Sequence, residues 1–268
     1  MRAGVAISCL GLLGACLTAC IGEAEPFGDE SSTEEEIATA EQAAFTKNAF
    51  TKNALTASAL TRNRLATEAL TGGPLTSSAL ARSGEVMRAL RDPLAREFLT
   101  YAAGCALPEG RSVQVTLDGE THVFEGELGL APEWGRAHGQ CNARCQGWVS
   151  ACMLARVNYL GESVPLSMRG KNRALESRPE ERKAFPHREA AYFGDLFAPE
   201  QLRFACKSPG STLIRRVCGG TGEDTDGCIV DVLGDCDDLC GAPAPDGSFS
   251  NCAVGDRTIR TTVTIFRE

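Results

Sequence analysis

No stretch of this chain approaches the roughly 20 apolar residues that a membrane-spanning helix needs. The longest apolar run, Ala3 to Leu17, falls short of it. Nor is there a GxSxG elbow, an HExxH pair, a P-loop or a GxGxxG turn, so the best-marked hydrolase, metalloprotease and nucleotide-binding chemistries have no foothold. Histidine is scarce: His122, His138 and His187 are all there is. Basic charge is outweighed, with 27 Lys and Arg against 35 Asp and Glu, and a net charge of −8 argues against a nucleic-acid partner. Aromatic residues are only 6% of the chain, and no CxxC pair occurs. Cysteine, by contrast, is plentiful. Thirteen in 268 residues are too many for a reducing compartment unless they hold metal. The rest of the composition, 43% hydrophobic and 23% charged, is that of a globular chain with room for one large domain or two small ones.

The first twenty residues read as an address. One basic residue, Arg2, precedes the apolar run, which has the length of a signal-peptide core. The run closes on Leu17-Thr18-Ala19-Cys20: a branched apolar residue, two small residues and a cysteine. This resembles the lipobox of bacterial lipoproteins. In that family the cysteine thiol receives diacylglycerol and the chain is cut just before it. The resemblance therefore implies a signal peptide over residues 1–19 and lipidation at Cys20. A second match, Leu13-Gly14-Ala15-Cys16, lies inside the apolar run; Cys20 is preferred because it meets polar sequence. In Gram-negative lipoproteins an aspartate after the acylated cysteine tends to signal inner-membrane retention. Ile21 stands there, so the resemblance implies the outer membrane. Each buried methylene adds about 0.8 kcal/mol, so a multiply acylated cysteine is a lasting anchor.

Cleavage there sets the cysteine count. Cys9 and Cys16 leave with the signal and Cys20 is acylated. Ten remain: Cys105, Cys141, Cys145, Cys152, Cys206, Cys218, Cys228, Cys236, Cys240 and Cys252. An even number in an exported domain predicts five disulfides, with connectivity open. Cys141-x3-Cys145 and Cys236-x3-Cys240 come near zinc spacing, with Cys228 and Cys252 close by. The oxidising compartment favours bridges, so neither metal nor cofactor is expected.

Three segments follow. Residues 20–43 carry eight acidic side chains and no Lys or Arg, too little apolar surface to offset chain entropy, and are expected to form a disordered tether. Residues 44–83 repeat with period five: AFTKN, AFTKN, ALTAS, ALTRN, RLATE, ALTGG, PLTSS, ALARS. Phe or Leu recurs at 45, 50, 55, 60, 65, 70, 75 and 80. A five-residue step turns an α-helix by roughly 140°, so one long helix would scatter these residues. An odd period equally ill suits a flat strand. The pattern resembles the pentapeptide-repeat family, and the resemblance implies a right-handed square β-helix. A flexible stalk, or a strip wrapping the following domain, remain as alternatives.

Residues 84–268 hold all ten cysteines and are expected to be an α+β, disulfide-rich domain with two main helices and a few antiparallel strands. Asp92-Pro93 starts a helix whose face carries Leu94, Phe98, Tyr101, Ala102 and Cys105. Val113, Val115, Leu117, Asp118-Gly119 and Val123 spell a hairpin. Cys141, Cys145, Trp148, Cys152, Ala155 and Tyr159 make one helical stripe, predicting that three thiols and two aromatics face the core together. Val164 to Met168 and Leu202 to Cys206 read as strands, residues 169–190 as an exposed loop, residues 207–252 as a bridged loop region, and Thr258 to Phe266 as one strand.

Chemistry is thinly signalled. Glu133, His138 and His187 are the candidates for a general base in a cell-envelope or extracellular hydrolase. Trp134 beside Glu133 would suit a sugar, although a core Trp explains it as well. The acidic run around Glu223, Asp224 and Asp226 fails the EF-hand template, with Gly222 and Leu233 at ligand positions, and reads as a solvated loop. Segments CALP (Cys105 to Pro108) and GLAPEW (Gly129 to Trp134), with the Leu repeat and the cysteine-bearing helix, resemble a group of exported bacterial proteins. That resemblance carries no activity. The expected role is structural or binding, at the outer membrane. The expected partners are the membrane itself, through acylated Cys20, and a cell-surface polymer or another envelope protein.

Overall fold

The computed structural model describes residues 49–50, 54–62, 65, 67–159, 164–218 and 227–268. The signal segment, Cys20, the acidic stretch, the first repeat unit and residues 222–226 of the calcium reading lie outside the described residues. The architecture is α+β, as expected.

Its centre is a six-stranded sheet. The strands, with two small hairpins, are β1 (Ala49–Phe50), β2 (Ser112–Leu117), β3 (Glu120–Glu125), β4 (Leu166–Arg169), β5 (His187–Asp195), β6 (Leu202–Lys207), β7 (Asp231–Asp235), β8 (Cys252–Val254), β9 (Arg257–Ile259) and β10 (Val263–Arg267). The large sheet runs β1-β4-β10-β5-β6-β7, antiparallel except for the β6–β7 pair. Side chains of a strand alternate between faces, and β5 supplies both. Ala190 and Tyr192 enter the main core, while Ala191 and Phe193 enter a second, smaller core with Cys206, Cys236, Phe249 and Cys252. Gly194, at φ 148°, lets β6 close in: a Cβ there would meet the Leu202 carbonyl oxygen at 2.0 Å.

The two main helices are α5 (Pro93–Ala106) and α6 (Ala143–Ala155). Asp92 caps α5, accepting from the Leu94 amide at 2.9 Å, and Pro93 opens it. Asn142 caps α6, accepting from the Cys145 amide at 3.1 Å. α6 lies on β5 and β10, and α5 lies on α6. The β2–β3 hairpin covers α5. Its turn is Asp118-Gly119, both at positive φ (51° and 89°), as a two-residue primed turn requires.

The described part of the repeat segment takes neither the square coil that its resemblance implies nor one long helix. It forms three short helices, α1 (Ala57–Thr61), α2 (Thr67–Thr71) and α3 (Ser77–Arg82), followed by α4 (Gly84–Ala89). The reason is local. Thr56 caps α1 and Thr76 caps α3, each accepting from the amide three residues on. A residue just before an N-cap and one at the fourth helical position stand five apart, and together they form a hydrophobic staple. Leu55 with Leu60, and Leu75 with Leu80, fill those places, and Leu65 with Leu70 repeat the spacing. The period of five is thus a staple, used once per ten residues. All six leucines are buried in the main core. The segment therefore wraps the cysteine-bearing part of the chain, with Leu55 bridging to Val157 and Leu75 donating to the Trp134 carbonyl at 2.8 Å.

All ten cysteines among the described residues are paired. Cys105–Cys152 joins α5 to α6; Cys141–Cys145 closes the entry to α6; Cys206–Cys236 and Cys240–Cys252 tie β6, α9 (Cys236–Leu239) and β8 together; Cys218–Cys228 spans the end of α8 (Leu213–Cys218). Each bridge adds roughly 2–4 kcal/mol, chiefly by restricting the unfolded chain.

Four local expectations give way. On α6, Trp148 and Cys152 are buried as the stripe requires, but Val149, Ser150, Ala151, Met153 and Leu154 are buried too. From Gly147 onward the helix is enclosed between α5 and the sheet, so that part has no polar face. Tyr159 lies past its end and is 52% exposed, and Cys145 is only partly buried. Residues 169–190 are not an exposed loop: they hold α7 (Pro179–Ala184) and the start of β5, with Arg169, Leu175, Glu181 and Glu189 buried. Residues 207–252 contain α8, β7 and α9 besides loops. The closing strand is two strands, because β9 pairs with β8 and the chain crosses at 260–262 to enter the large sheet as β10.

Candidate functional site

The residues singled out for chemistry are apart from one another in their bonding. Glu133 sits in the 3-10 turn Pro132–Gly135, exposed, its carboxylate 2.8 Å from the Arg136 guanidinium. His138 is exposed just after that turn, and His187 is exposed at the start of β5, opposite Arg267 of β10. Among the described residues no hydrogen bond or ion pair links His138 or His187 to Glu133 or to each other. An orienting carboxylate within hydrogen-bond reach would strengthen either histidine as a base, and among the described residues neither is hydrogen-bonded to one. Trp134 is fully buried, with Nε1 donating to the Gly73 carbonyl at 3.0 Å and its ring edge-on to Phe197 at 6.0 Å. It is a core residue and offers no face to a sugar.

What the fold does assemble is a set of buried arginines, none of which the sequence marked. Arg216, in α8, is the most elaborate. Its Nε and Nη2 donate to Glu189 Oε2 at 3.0 and 2.8 Å; Nη1 donates to the carbonyls of Ala155 and Val157 at 3.0 and 2.7 Å; Nη2 also donates to the Tyr192 hydroxyl. Thr212 donates to the other Glu189 oxygen at 3.1 Å. Burial, the largest influence, works against charge on Arg216, but the Glu189 carboxylate and the Tyr192 hydroxyl together outweigh it, and the guanidinium is held above its ordinary range. Burial pushes the Tyr192 phenol far up, so it is neutral. The cluster forms the floor of a cavity of about 210 Å³ whose wall includes Asn158, Val164, Arg215 and Arg267.

Arg169 repeats the arrangement below β10. It donates to the Ser167 hydroxyl and to the carbonyls of Asp246 and Phe185, and lies 3.7 Å from the centre of the Phe266 ring. Arg156 pairs with Glu127 at 2.5 Å and covers the Tyr101 ring; Arg188 covers Phe249 and donates to Ser208 and the Gly247 carbonyl. Each guanidinium joins segments distant in sequence, and those of Arg216, Arg169 and Arg188 donate to backbone carbonyls there. Arg is suited to this by its five fixed donors and flat face. These are positioning contacts. Both oxygens of Glu189 are already occupied and Tyr192 stays protonated, so the cluster has no free base or nucleophile.

Glu181 is the exception in sign. It is fully buried, accepts from the Ser167 hydroxyl at 2.7 Å, and also faces the Arg178 backbone amide. Burial raises its pKa above the usual carboxylate range, against the pull of Ser167 and Arg169. A carboxyl with a raised folded pKa binds its proton more readily folded than unfolded, so its contribution is present at acid pH and is lost as pH rises through the folded value. The stability difference between the native chain and Glu181→Gln is therefore expected to shift in favour of the native chain as pH falls from neutral into the carboxylate range, measured by urea denaturation at several pH values. A difference that is flat with pH would contradict the assignment.

No family model, curated protein or solved structure matches this chain. Among the described residues no helix is long and apolar enough to cross a membrane.

Proposed function

We propose that the chain is an outer-membrane lipoprotein, anchored through acylated Cys20, whose disulfide-locked domain has a non-enzymatic structural or binding role. The observation that supports this best is the pairing of all ten cysteines outside the signal and anchor region into five disulfides. Such density of bridges fits an exported protein and not a cytosolic one. The arginine clamps support the second half of the reading: the buried charged groups are engaged in holding the fold. A cell-surface polymer or another envelope protein is the proposed partner class.

The anchor is tested by mass spectrometry of the protein isolated from its own membranes. The expected result is a chain beginning at Cys20 with a diacylglyceryl group on the thiol. A chain that keeps residues 1–19, with that thiol free, refutes it. The non-enzymatic role is tested by screening glycans and peptides for turnover. None is expected, and turnover abolished by Glu133→Ala, His138→Ala or His187→Ala would establish the hydrolase instead.

A further inference from the structure

The second core contains two disulfides in contact. Cys206 Sγ lies 3.6 Å from Cys240 Sγ, although each is bonded to a different partner, Cys236 and Cys252. The sulfurs of Cys206, Cys240 and Cys252 all lie within 4.8 Å of one another. Among the described residues this is the one group of three or more potential ligand side chains that converges so closely. Four thiolates around a tetrahedral zinc ion at about 2.3 Å would stand about 3.8 Å apart, close to the 3.6 Å between Cys206 and Cys240; Cys236, bonded to Cys206, stands outside the group of three and would turn toward it once its bridge opens.

We propose that Cys206, Cys236, Cys240 and Cys252 are a tetrathiolate site that takes one zinc ion when its two disulfides are reduced. The backbone would hold the ligands in place without the bridges. Cys206 is paired with Ala191 in the β5–β6 ladder, and Cys252 with Ile259 in the β8–β9 hairpin. Cys236 and Cys240 stand at the two ends of α9, joined by the Cys240 amide donating to the Cys236 carbonyl at 2.9 Å. The Gly241 amide, donating to Ser250, ties the end of α9 to the chain entering β8. A supporting contact is also present: the buried Thr262 hydroxyl donates to Cys252 Sγ at 3.8 Å. Hydrogen bonds of this kind orient metal-bound sulfur and stabilise its charge. Ala191, Phe193 and Phe249 pack around the group, with Cys240 its partly exposed member.

The chemistry balances as follows. Each disulfide takes two electrons and two protons from a dithiol, which becomes a disulfide, or two electrons from a phosphine, with water giving the two protons to the sulfurs and its oxygen to the phosphine oxide; four thiols result in all. Zinc then displaces four protons, and the centre carries a charge of −2. Oxidation and metal are thus alternative occupants of one set of sulfurs. Cys141–Cys145, which has the same x3 spacing as Cys236 and Cys240, brings no third sulfur near it, and Cys228 is paired with Cys218 away from the group.

The test reduces the full chain with a phosphine under native, anaerobic conditions, removes the phosphine, and titrates with Cd²⁺. The expected result is a thiolate-to-cadmium charge-transfer band that saturates at one ion per chain and is displaced by Zn²⁺. Cys206→Ser/Cys252→Ser should abolish it and Cys141→Ser/Cys145→Ser should leave it intact. Thr262→Val, which removes no cysteine, should keep the stoichiometry and weaken binding about 10–100-fold. A band that never forms, that survives the first pair of changes, or that depends equally on the second overturns the proposal. So does unchanged affinity in Thr262→Val. If reduction melts the domain, near-ultraviolet circular dichroism decides: recovery on one equivalent of Zn²⁺ upholds the site, and a flat signal refutes it.

Discussion

Arg216→Met is expected to lower the unfolding free energy by about 3–5 kcal/mol, because it leaves the Glu189 carboxylate buried without its counter-charge. The magnitude follows from the setting. Glu189 is 3% exposed and Arg216 7%, and the arginine also donates to the carbonyls of Ala155 and Val157 around the end of α6 and to the Tyr192 hydroxyl. Removing both charges should behave differently. Replacing a buried pair with apolar groups of similar size is often neutral or better, so Arg216→Met/Glu189→Leu should recover most of the loss. Urea denaturation of the single and double variants measures the coupling. A single variant within about 1 kcal/mol of the native chain would mean that water entering from the cavity solvates the pair in solution.

The second large effect concerns the repeat segment. Leu60→Ala and Leu75→Ala should each cost about 2–5 kcal/mol, the range for a fully buried leucine that leaves a cavity. Thr56→Ala and Thr76→Ala should cost less, about 0.5–2 kcal/mol, for the lost helix caps. The ranking distinguishes the packed strip from the other readings of period five. In a stalk standing off the domain, neither leucine would alter the melting of the cysteine-bearing part. Thermal unfolding of the four variants followed in the near ultraviolet, where Trp134 and Trp148 report on that part, gives the answer. Trp134 is itself in contact with the segment, through the Gly73 carbonyl and the Leu75 amide.

Much of the fold was legible where short-range chemistry decides it. Asp92-Pro93 marked the start of α5 and Asp118-Gly119 the hairpin turn, because a cap or a positive φ is a property of one or two residues. The leucine period was visible too, but its meaning was not. Five is both the pitch of a square coil and the separation of a staple's two ends, and only the threonines' hydrogen bonds distinguish them. β5 was missed altogether. Its HREAAYFGD has no β-branched residue, and because Ala190 and Tyr192 serve one core and Ala191 and Phe193 the other, the alternation that announces a half-buried strand is absent. The buried arginines left no trace at all. Arg215 and Arg216 are neighbours in one basic pair, yet the first is exposed and the second is sealed in. Glu133, His138 and His187 were chosen by residue type alone, and type does not bring side chains together.

The position of β10 has a consequence for the order of assembly. It is the last strand in the chain, yet it lies between β4 and β5, which make no ladder with each other. Emerging N-terminus first, the polypeptide must keep both flanks of the unfinished sheet waiting until residues 263–267 arrive to zip them shut.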